Sequence, residues 1–261
     1  MNVKNKIEYE FPSSVLAVFA KEPRLGEVKT RLQPQLGAER ALALHEALIR
    51  YVFGNLQRAR LCPAELWVAS SPSSSNQYSH EVFISLCNER DIHLQKGDDL
   101  GARMRHAVEH AWSRAAHVEN VILVGADCPS VDADYLRQAL TLLEAGESVV
   151  IGPADDGGYV LVGLRKQSAN EPANVALCDA LFGSAQNGAG LPGEMHQRLI
   201  EGLTDGLTEE LPWGTERVLE VTRDRLRRAG LAWVETEPRW DVDRPEDLQR
   251  LATLMPPFPD I

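Results

Sequence analysis

Short apolar runs alternate with segments of helical period along most of the chain, and that alternation restricts the fold more than any other feature. Apolar runs at 15–20, 65–69, 92–95, 121–125, 148–152, 159–164 and 231–235 predict strands. Between the first two, Ala41, Leu44, Leu48 and Val52 share one helix face. Leu100, Met104, Ala107 and Ala111 repeat the pattern, and Leu136, Ala139, Leu140 and Leu143 mark a third helix that Asp132 or Asp134 can cap. A chain that returns to a strand after each helix builds a mainly parallel sheet flanked by helices. A later helix is expected from the N-cap Thr215 to Arg228, ended by Gly230. The stretch 165–212 differs: it holds Gly183, Gly188, Gly190, Gly193, Gly202 and Gly206, is weakly periodic, and reads as an excursion from the sheet or a lid.

Composition narrows the partners. With 27 Lys+Arg against 38 Asp+Glu the chain carries a formal charge of −11, which disfavours nucleic acid recognised through its phosphates. No apolar run approaches the roughly 18 residues that span a bilayer, and the run at 15–20 is too short for a signal-peptide core. Cys62, Cys87, Cys128 and Cys178 lie far apart with no CxxC pair, so neither a zinc knuckle nor a disulfide framework is expected. The expectation is a soluble, reduced, cytoplasmic protein with no membrane partner.

Four segments carry candidate chemistry. The first strand runs into FAKEPRLGEVKTRL at 19–32, where Lys21, Arg24, Lys29 and Arg31 cluster around Gly26 in an otherwise acidic chain. A loop of this kind beyond a strand's carboxyl end suits a polyphosphate, although a solvated basic loop has the same composition. It is not a Walker A loop, because GxxxxGK[ST] is absent. VGADCPS at 124–130 presents Asp127 where a buried strand ends, as a ligand for a hard cation or as the cap of the next turn. GPADDGGY at 152–159 places Asp155 and Asp156 beside Gly157, Gly158 and Tyr159, which fits a ligand pocket or a simple hairpin turn. In WDVDRPEDL at 240–248, Asp241 and Asp243 precede a helix whose first position is expected at Pro245, so Asp243 is an N-cap or a metal ligand.

Two decoys are set aside. His106, Glu109 and His110 match the H-x-x-E-H string of inverted zinc peptidases, but the apolar face of their helix places both histidines on its solvated side. Cys128 follows Asp127, whose carboxylate raises a thiol pKa and argues against a nucleophile.

Taken together and in this order, FAKEPRLGEVKTRL, DLGARM at 99–104, VGADCPS, GPADDGGYVLVGL at 152–164, and WGTERVL through DVDRPEDL at 213–248 resemble the glycosyltransferase A (GT-A) fold transferases. The resemblance is to the radical-SAM/selenodomain-associated transferases and arsenosugar-biosynthesis glycosyltransferases, with kinship to phospholactate guanylyltransferase and the molybdenum-cofactor nucleotidyltransferases. It implies a single three-layer α/β/α nucleotide-diphospho-sugar transferase domain over residues 1–261, Rossmann-like, with a mostly parallel mixed sheet containing one reversed strand. By motif match, Lys21, Lys29 and Arg31, with Arg24 and Gly26 in the same loop, meet the nucleotide's phosphates. Asp127 holds Mg²⁺ or Mn²⁺ with Asp243, either alone or joined by Asp241, and residues from Asp155 to Tyr159 line the donor-sugar or acceptor pocket. The implied reaction moves a sugar from a nucleotide sugar to a small acceptor, with Asp156 or Asp155 as base and Lys29 sharing the leaving group's charge. Nucleotidyl transfer from an NTP to a phosphorylated small molecule, with pyrophosphate release, is the alternative, and a non-catalytic nucleotide sensor is a third possibility.

Overall fold

The computed structural model of the protein describes residues 8–70, 81–167, 171–183, 211–254 and 257–259. Among these, seven strands form one sheet: β1 (Ser14–Lys21), β2 (Ala64–Ala69), β3 (Ile92–Leu94), β4 (Asn120–Gly125), β5 (Val149–Pro153), β6 (Tyr159–Arg165) and β7 (Val234–Glu235). The order is β3-β2-β1-β4-β6-β5-β7. Every neighbouring pair is parallel except those made by β6, which runs antiparallel to both β4 and β5. The expected mostly parallel sheet with one reversed strand is what forms.

The α-helices among the described residues are α1 (Gln33–Leu36), α2 (Ala38–Arg58), α3 (Glu81–Ile84), α4 (Leu100–Arg114), α5 (Ala133–Glu144), α6 (Glu171–Phe182), α7 (Val218–Arg228) and α8 (Asp247–Arg250). Alternation along β1 sends Leu16, Val18 and Ala20 to the face covered by α2 and α5, and Val15 and Ala17 to the face covered by α4, α6 and α7. Both faces are therefore buried, which is why the strands read as continuous apolar runs. None of the described helices is long and apolar enough to cross a membrane.

Four local expectations are corrected. Where the chain leaves the sheet after Arg165, a packed helix stands in part of the weakly periodic stretch: α6 follows β6 with Leu177, Cys178, Ala180, Leu181 and Phe182 buried. Its periodicity is weak because α4 and α7 pack on it as well as the sheet, and a helix covered on several sides carries no clear polar face. Residues 184–210 of that stretch lie outside the described residues. The helix expected from Thr215 starts at Val218; Thr215 instead closes a turn, donating its hydroxyl to Pro212 O and accepting from Arg217 N. Asp243 does not cap a helix at Pro245. Asp247 accepts from the backbone N–H groups of Asp243 and Arg244, so the helical turn starts later and Asp243 keeps its carboxylate for other partners. The third helix is capped as expected, Asp132 Oδ1 accepting from Tyr135 N at 2.8 Å.

The fourth correction concerns His106 and His110. Both are half-buried and meet His93 of β3 around the buried Trp67 ring, with centroids 4.8 to 5.5 Å from it. The helix buries Gly101, Met104, Arg105, Ala107, Val108, Ala111 and Trp112, a wider band than the expected face of Leu100, Met104, Ala107 and Ala111, and Leu100 at its first turn is exposed instead. Among the described residues no group of three or more His, Cys, Asp or Glu side chains is arranged to hold a metal ion, these histidines included.

Candidate active site

From β1 the chain moves outward to β2 and β3, then returns to place β4 on the other side of β1. Loops leaving the carboxyl ends of β1 and β4 therefore diverge, and a crevice opens between them. A cavity of about 570 Å³ occupies this position. Its walls include Lys21, Glu27, Lys29, Arg31, Asp127, Asp156, Gly158, Tyr159, Asp241 and Asp243. Three acidic segments separated in sequence thus meet one basic loop.

Each acid arrives for a local reason. Gly125 ends β4, and a Cβ there would lie 2.7 Å from Asp127 Oδ1, so the turn needs glycine to let the carboxylate fold back over it. The segment carrying Asp241 and Asp243 is strapped along this turn. Val242 N donates to Asp127 O at 2.9 Å, and Trp240 N to Ser130 Oγ at 3.0 Å. Trp240 and Val242 are buried against Leu32, Leu44, Leu48 and Leu251. In extended backbone the alternate residues point the other way, which delivers Asp241 and Asp243 to the cleft wall. The acid–apolar alternation W-D-V-D is the signal for this.

Lys29 is the centre of the arrangement. Its backbone is left-handed (φ 46°, ψ 42°), a conformation that costs an ordinary residue about 1–3 kcal/mol and persists where the surroundings enforce it. The side chain is 6 % exposed, and Nζ donates to Asp127 Oδ2 at 2.7 Å and Val242 O at 2.6 Å. Arg31 bonds Asp243 in the same way. Burial opposes the Lys29 charge, yet Asp127, Asp241 and Asp243 outweigh it and hold its pKa above the ordinary value. Burial likewise works against ionised Asp127, but the Lys29 ammonium and its hydrogen bond prevail and keep that carboxyl below the usual range. Among the described residues no cation bonds Asp241 in this way, and the pull of Lys29 on it is weaker. Burial, then Asp127 and Asp156, push it up to about 7.

Other expected site residues are placed differently. Asp156 reaches the cleft, and its Oδ1 accepts from Gly158 N at 3.0 Å. Asp155 does not line the cavity; it pairs with Arg250 at 2.8 Å. Arg24 pairs with Glu22 at 3.2 Å, and neither Arg24 nor Gly26 forms part of the wall. Gly157 also stays out of the wall; its φ of +87° and its closeness to Glu216 O instead seat the turn that bears Trp213 and Thr215. Tyr159 lines the cavity and meets Trp213 edge-on, centroids 6.4 Å apart. Cys128 is buried, and burial followed by Asp127 pushes its thiol well above the ordinary value, so it is no nucleophile.

Several cleft residues escaped the sequence reading: His45, Gln95, Arg103, Trp213 and Thr215. His45 sits among the apolar positions of α2, where nothing in the local pattern marks it. Trp213 and Thr215 fall within WGTERVL, a segment recognisable by resemblance without indicating which residues face a ligand.

The chain is similar to known proteins in two ways. Residues 53–182 match the family described as "uncharacterized protein conserved in bacteria (DUF2064)". Among solved structures, a provisionally assigned nucleotide-diphospho-sugar transferase from Desulfovibrio desulfuricans G20 is 28% identical, with a TM-score of 0.66 over 89% of this chain and 83% of that one. A cytidylyltransferase from Leptospira borgpetersenii shares the fold at 11% identity, with a TM-score of 0.50 over 95% of this chain and 89% of that one. No curated protein sequence matches the chain.

Proposed function

We propose that this chain, whose residues 53–182 match the DUF2064 family, is a transferase using a nucleotide-activated donor, moving a sugar from a nucleotide sugar to a small acceptor. One observation carries the reading: Lys29 on Asp127 and Arg31 on Asp243 converge at the crevice where an open α/β sheet binds its ligand. The Desulfovibrio neighbour, at 28% identity, supports the donor class.

A divalent cation, Mg²⁺ or Mn²⁺, belongs to this proposal. The donor set fits: the cleft acids offer oxygen only, and such an ion takes one or two carboxylates beside substrate phosphates rather than an all-protein cage. No triad of acids is so arranged among the described residues, so Asp127 and Asp243 would hold it together with the donor's phosphates, Asp241 lying in the same wall, and its chemistry there is neutralisation of charge on the leaving diphosphate. Lys29 and Arg31 are already aimed at the same two carboxylates, so their charges are preorganised for phosphates that meet those acids, and Lys21 extends the cationic wall toward the end of β1. Asp156 is assigned the acceptor hydroxyl's proton, its carboxylate oriented by the Gly158 N–H.

A specific observation favours keeping nucleotidyl transfer as a second reading. Asp155 is engaged by Arg250, which leaves Asp156 alone of the acid pair as the base, whereas a phosphate nucleophile is already ionised and requires none. The test is incubation with Mg²⁺ or Mn²⁺ and a panel of nucleotide sugars and NTPs. Nucleoside diphosphate release supports sugar transfer, pyrophosphate release supports the second reading, and saturable binding without either product overturns both.

A further inference from the structure

His45 is a buried titratable group in the cleft wall to which the proposed reaction gives no role. It belongs to α2, is 6 % exposed, and its Nε2 lies 3.0 Å from the Lys21 carbonyl at the end of β1. A carbonyl only accepts, so Nε2 carries the proton and Nδ1 is left as a bare lone pair. That Nδ1 is buried with no hydrogen-bond partner among the described residues. Its neighbours on the helix face, Leu44, Leu48 and Ile49, are apolar and fully buried. A leucine would pack there without an unsatisfied nitrogen, so the imidazole is a net expense unless its Nε2–H bond matters.

That bond grips the peptide from which the loop at 22–30 departs. The loop's other end is Lys29 in its left-handed conformation, and its departure point on the first strand is shared with Gln95, whose Nε2 reaches Ala20 O at 3.4 Å. The charged groups bearing on the imidazole are Lys21 and Lys29 from the loop's two ends and Asp127 from the turn after β4. Burial first, with the two lysines, keeps it below its ordinary pKa and neutral, so it adds no competing cation to the wall.

Resting on the nucleotide-donor reading, we propose that His45 is a positioning residue: by holding the Lys21 carbonyl at the end of β1 it sets where Lys21, the loop at 22–30 with Lys29, and Arg31 just beyond it stand against the donor's phosphates. It acts through the loop and touches no reacting atom.

The test uses the full chain with Mg²⁺ and a series of nucleoside, nucleoside monophosphate, diphosphate and triphosphate, measured by titration calorimetry for wild type, His45→Leu and His45→Gln. His45→Leu should weaken di- and triphosphate binding by about tenfold while leaving the nucleoside within about twofold. His45→Gln, which supplies an N–H donor at the same reach, should recover most of the loss. Hydrogen exchange of the free proteins provides the second measurement: amides at 22–30 should exchange faster in His45→Leu and recover in His45→Gln. If His45→Leu does not fold, His45→Asn, too short to reach the carbonyl, takes its place.

Equal weakening across the whole series, or His45→Gln as impaired as His45→Leu, would overturn the proposal. Unchanged loop exchange in His45→Leu overturns it also. A wild type that binds no nucleotide refutes the donor reading instead, and the exchange arm then still decides whether His45 holds the loop.

Discussion

Replacing Lys29 by Met removes an ammonium while keeping the length of the side chain. That ammonium makes two short bonds, 2.7 Å to Asp127 and 2.6 Å to the Val242 carbonyl, from a side chain only 6 % exposed. Where the surviving partner stays dry, breaking a buried pair costs about 3–5 kcal/mol. Asp127 is 40 % exposed on the cleft side, so water replaces part of what it loses, and a fully exposed pair is worth only about 0–1 kcal/mol. The Val242 carbonyl adds about 1 kcal/mol for its lost donor. The expected destabilisation is therefore about 2 kcal/mol, or about 4–8 °C in melting temperature for a chain of this size. The assay is urea unfolding of wild type, Lys29→Met, Asp127→Asn and the double variant, without nucleotide or metal. The cycle should return a coupling of at least about 1 kcal/mol, as for residues in direct contact. A coupling within about 0.3 kcal/mol of zero would refute the claim that this pair organises the cleft.

Further outcomes follow from single features. Asp156→Asn should lower kcat for sugar transfer by about 10²-fold or more, whereas Asp155→Asn removes an exposed pair with Arg250 and should leave turnover near wild type; equal effects in a steady-state assay would remove Asp156 as base. Gly157→Ala forces a left-handed alanine whose Cβ would sit 2.1 Å from Glu216 O, so a loss of about 2 kcal/mol or more is expected in denaturant unfolding, and a neutral result would contradict the tight seating of that turn. Chelation with EDTA should abolish product release and added Mg²⁺ or Mn²⁺ restore it. Burial holds His93 and His106 below the ordinary imidazole pKa. For His93, Glu65 and Asp91 oppose the shift and His110 and Arg114 add to it; for His106, Lys96, His110 and His93 add to it. Through these two groups the unfolded chain binds more protons, so their contribution to stability is fully present above about pH 7 and falls as pH drops through 6.5 toward the depressed values. Asp241, raised to about 7, works in the opposite sense over the same range, so the check is a difference: in thermal melts from pH 7.5 to 5, His106→Gln should lose less stability toward pH 5 than wild type does.

How far the sequence is legible depends on how local the determining interaction is. All seven described strands lie within a few residues of where the apolar runs place them, because a strand buried on both faces writes its burial directly into composition. β7 is the partial exception: only Val234 and Glu235 of the expected 231–235 pair with β5, since an edge strand stops wherever its single neighbour stops. Although the sequence leaves Asp132 and Asp134 as alternatives and the structure selects Asp132, a cap on α5 was equally readable, its bond spanning three residues. The α6 helix was not, because it is covered by α4 and α7, and a side chain's neighbours on another helix leave no period in its own sequence. The histidines of α4 failed for the same reason: the ring that buries them, Trp67, lies on a strand far away in the chain.

The candidate site divides along the same line. The chemistry-bearing segments stand out locally as cations in an acidic chain and as acids beside glycines. The alternation of Trp240 and Val242 with Asp241 and Asp243 even prescribes which residues turn outward. Yet Asp155 and Asp156 are adjacent and indistinguishable in sequence, and only Arg250 and the cleft separate their roles. By itself the sequence determined the strands along the chain, the longer amphipathic helices α2, α4, α5 and α7, the kinds of groups available for chemistry, and the loops that carry them. Tertiary structure alone decided that Lys29 lies on Asp127, 98 positions away, that Arg31 lies on Asp243, and that His45 grips the end of β1. Secondary structure follows from side-chain periodicity over a few residues, whereas charge pairing at the crevice depends on the crossover at β1, where packing of the whole sheet brings remote loops together.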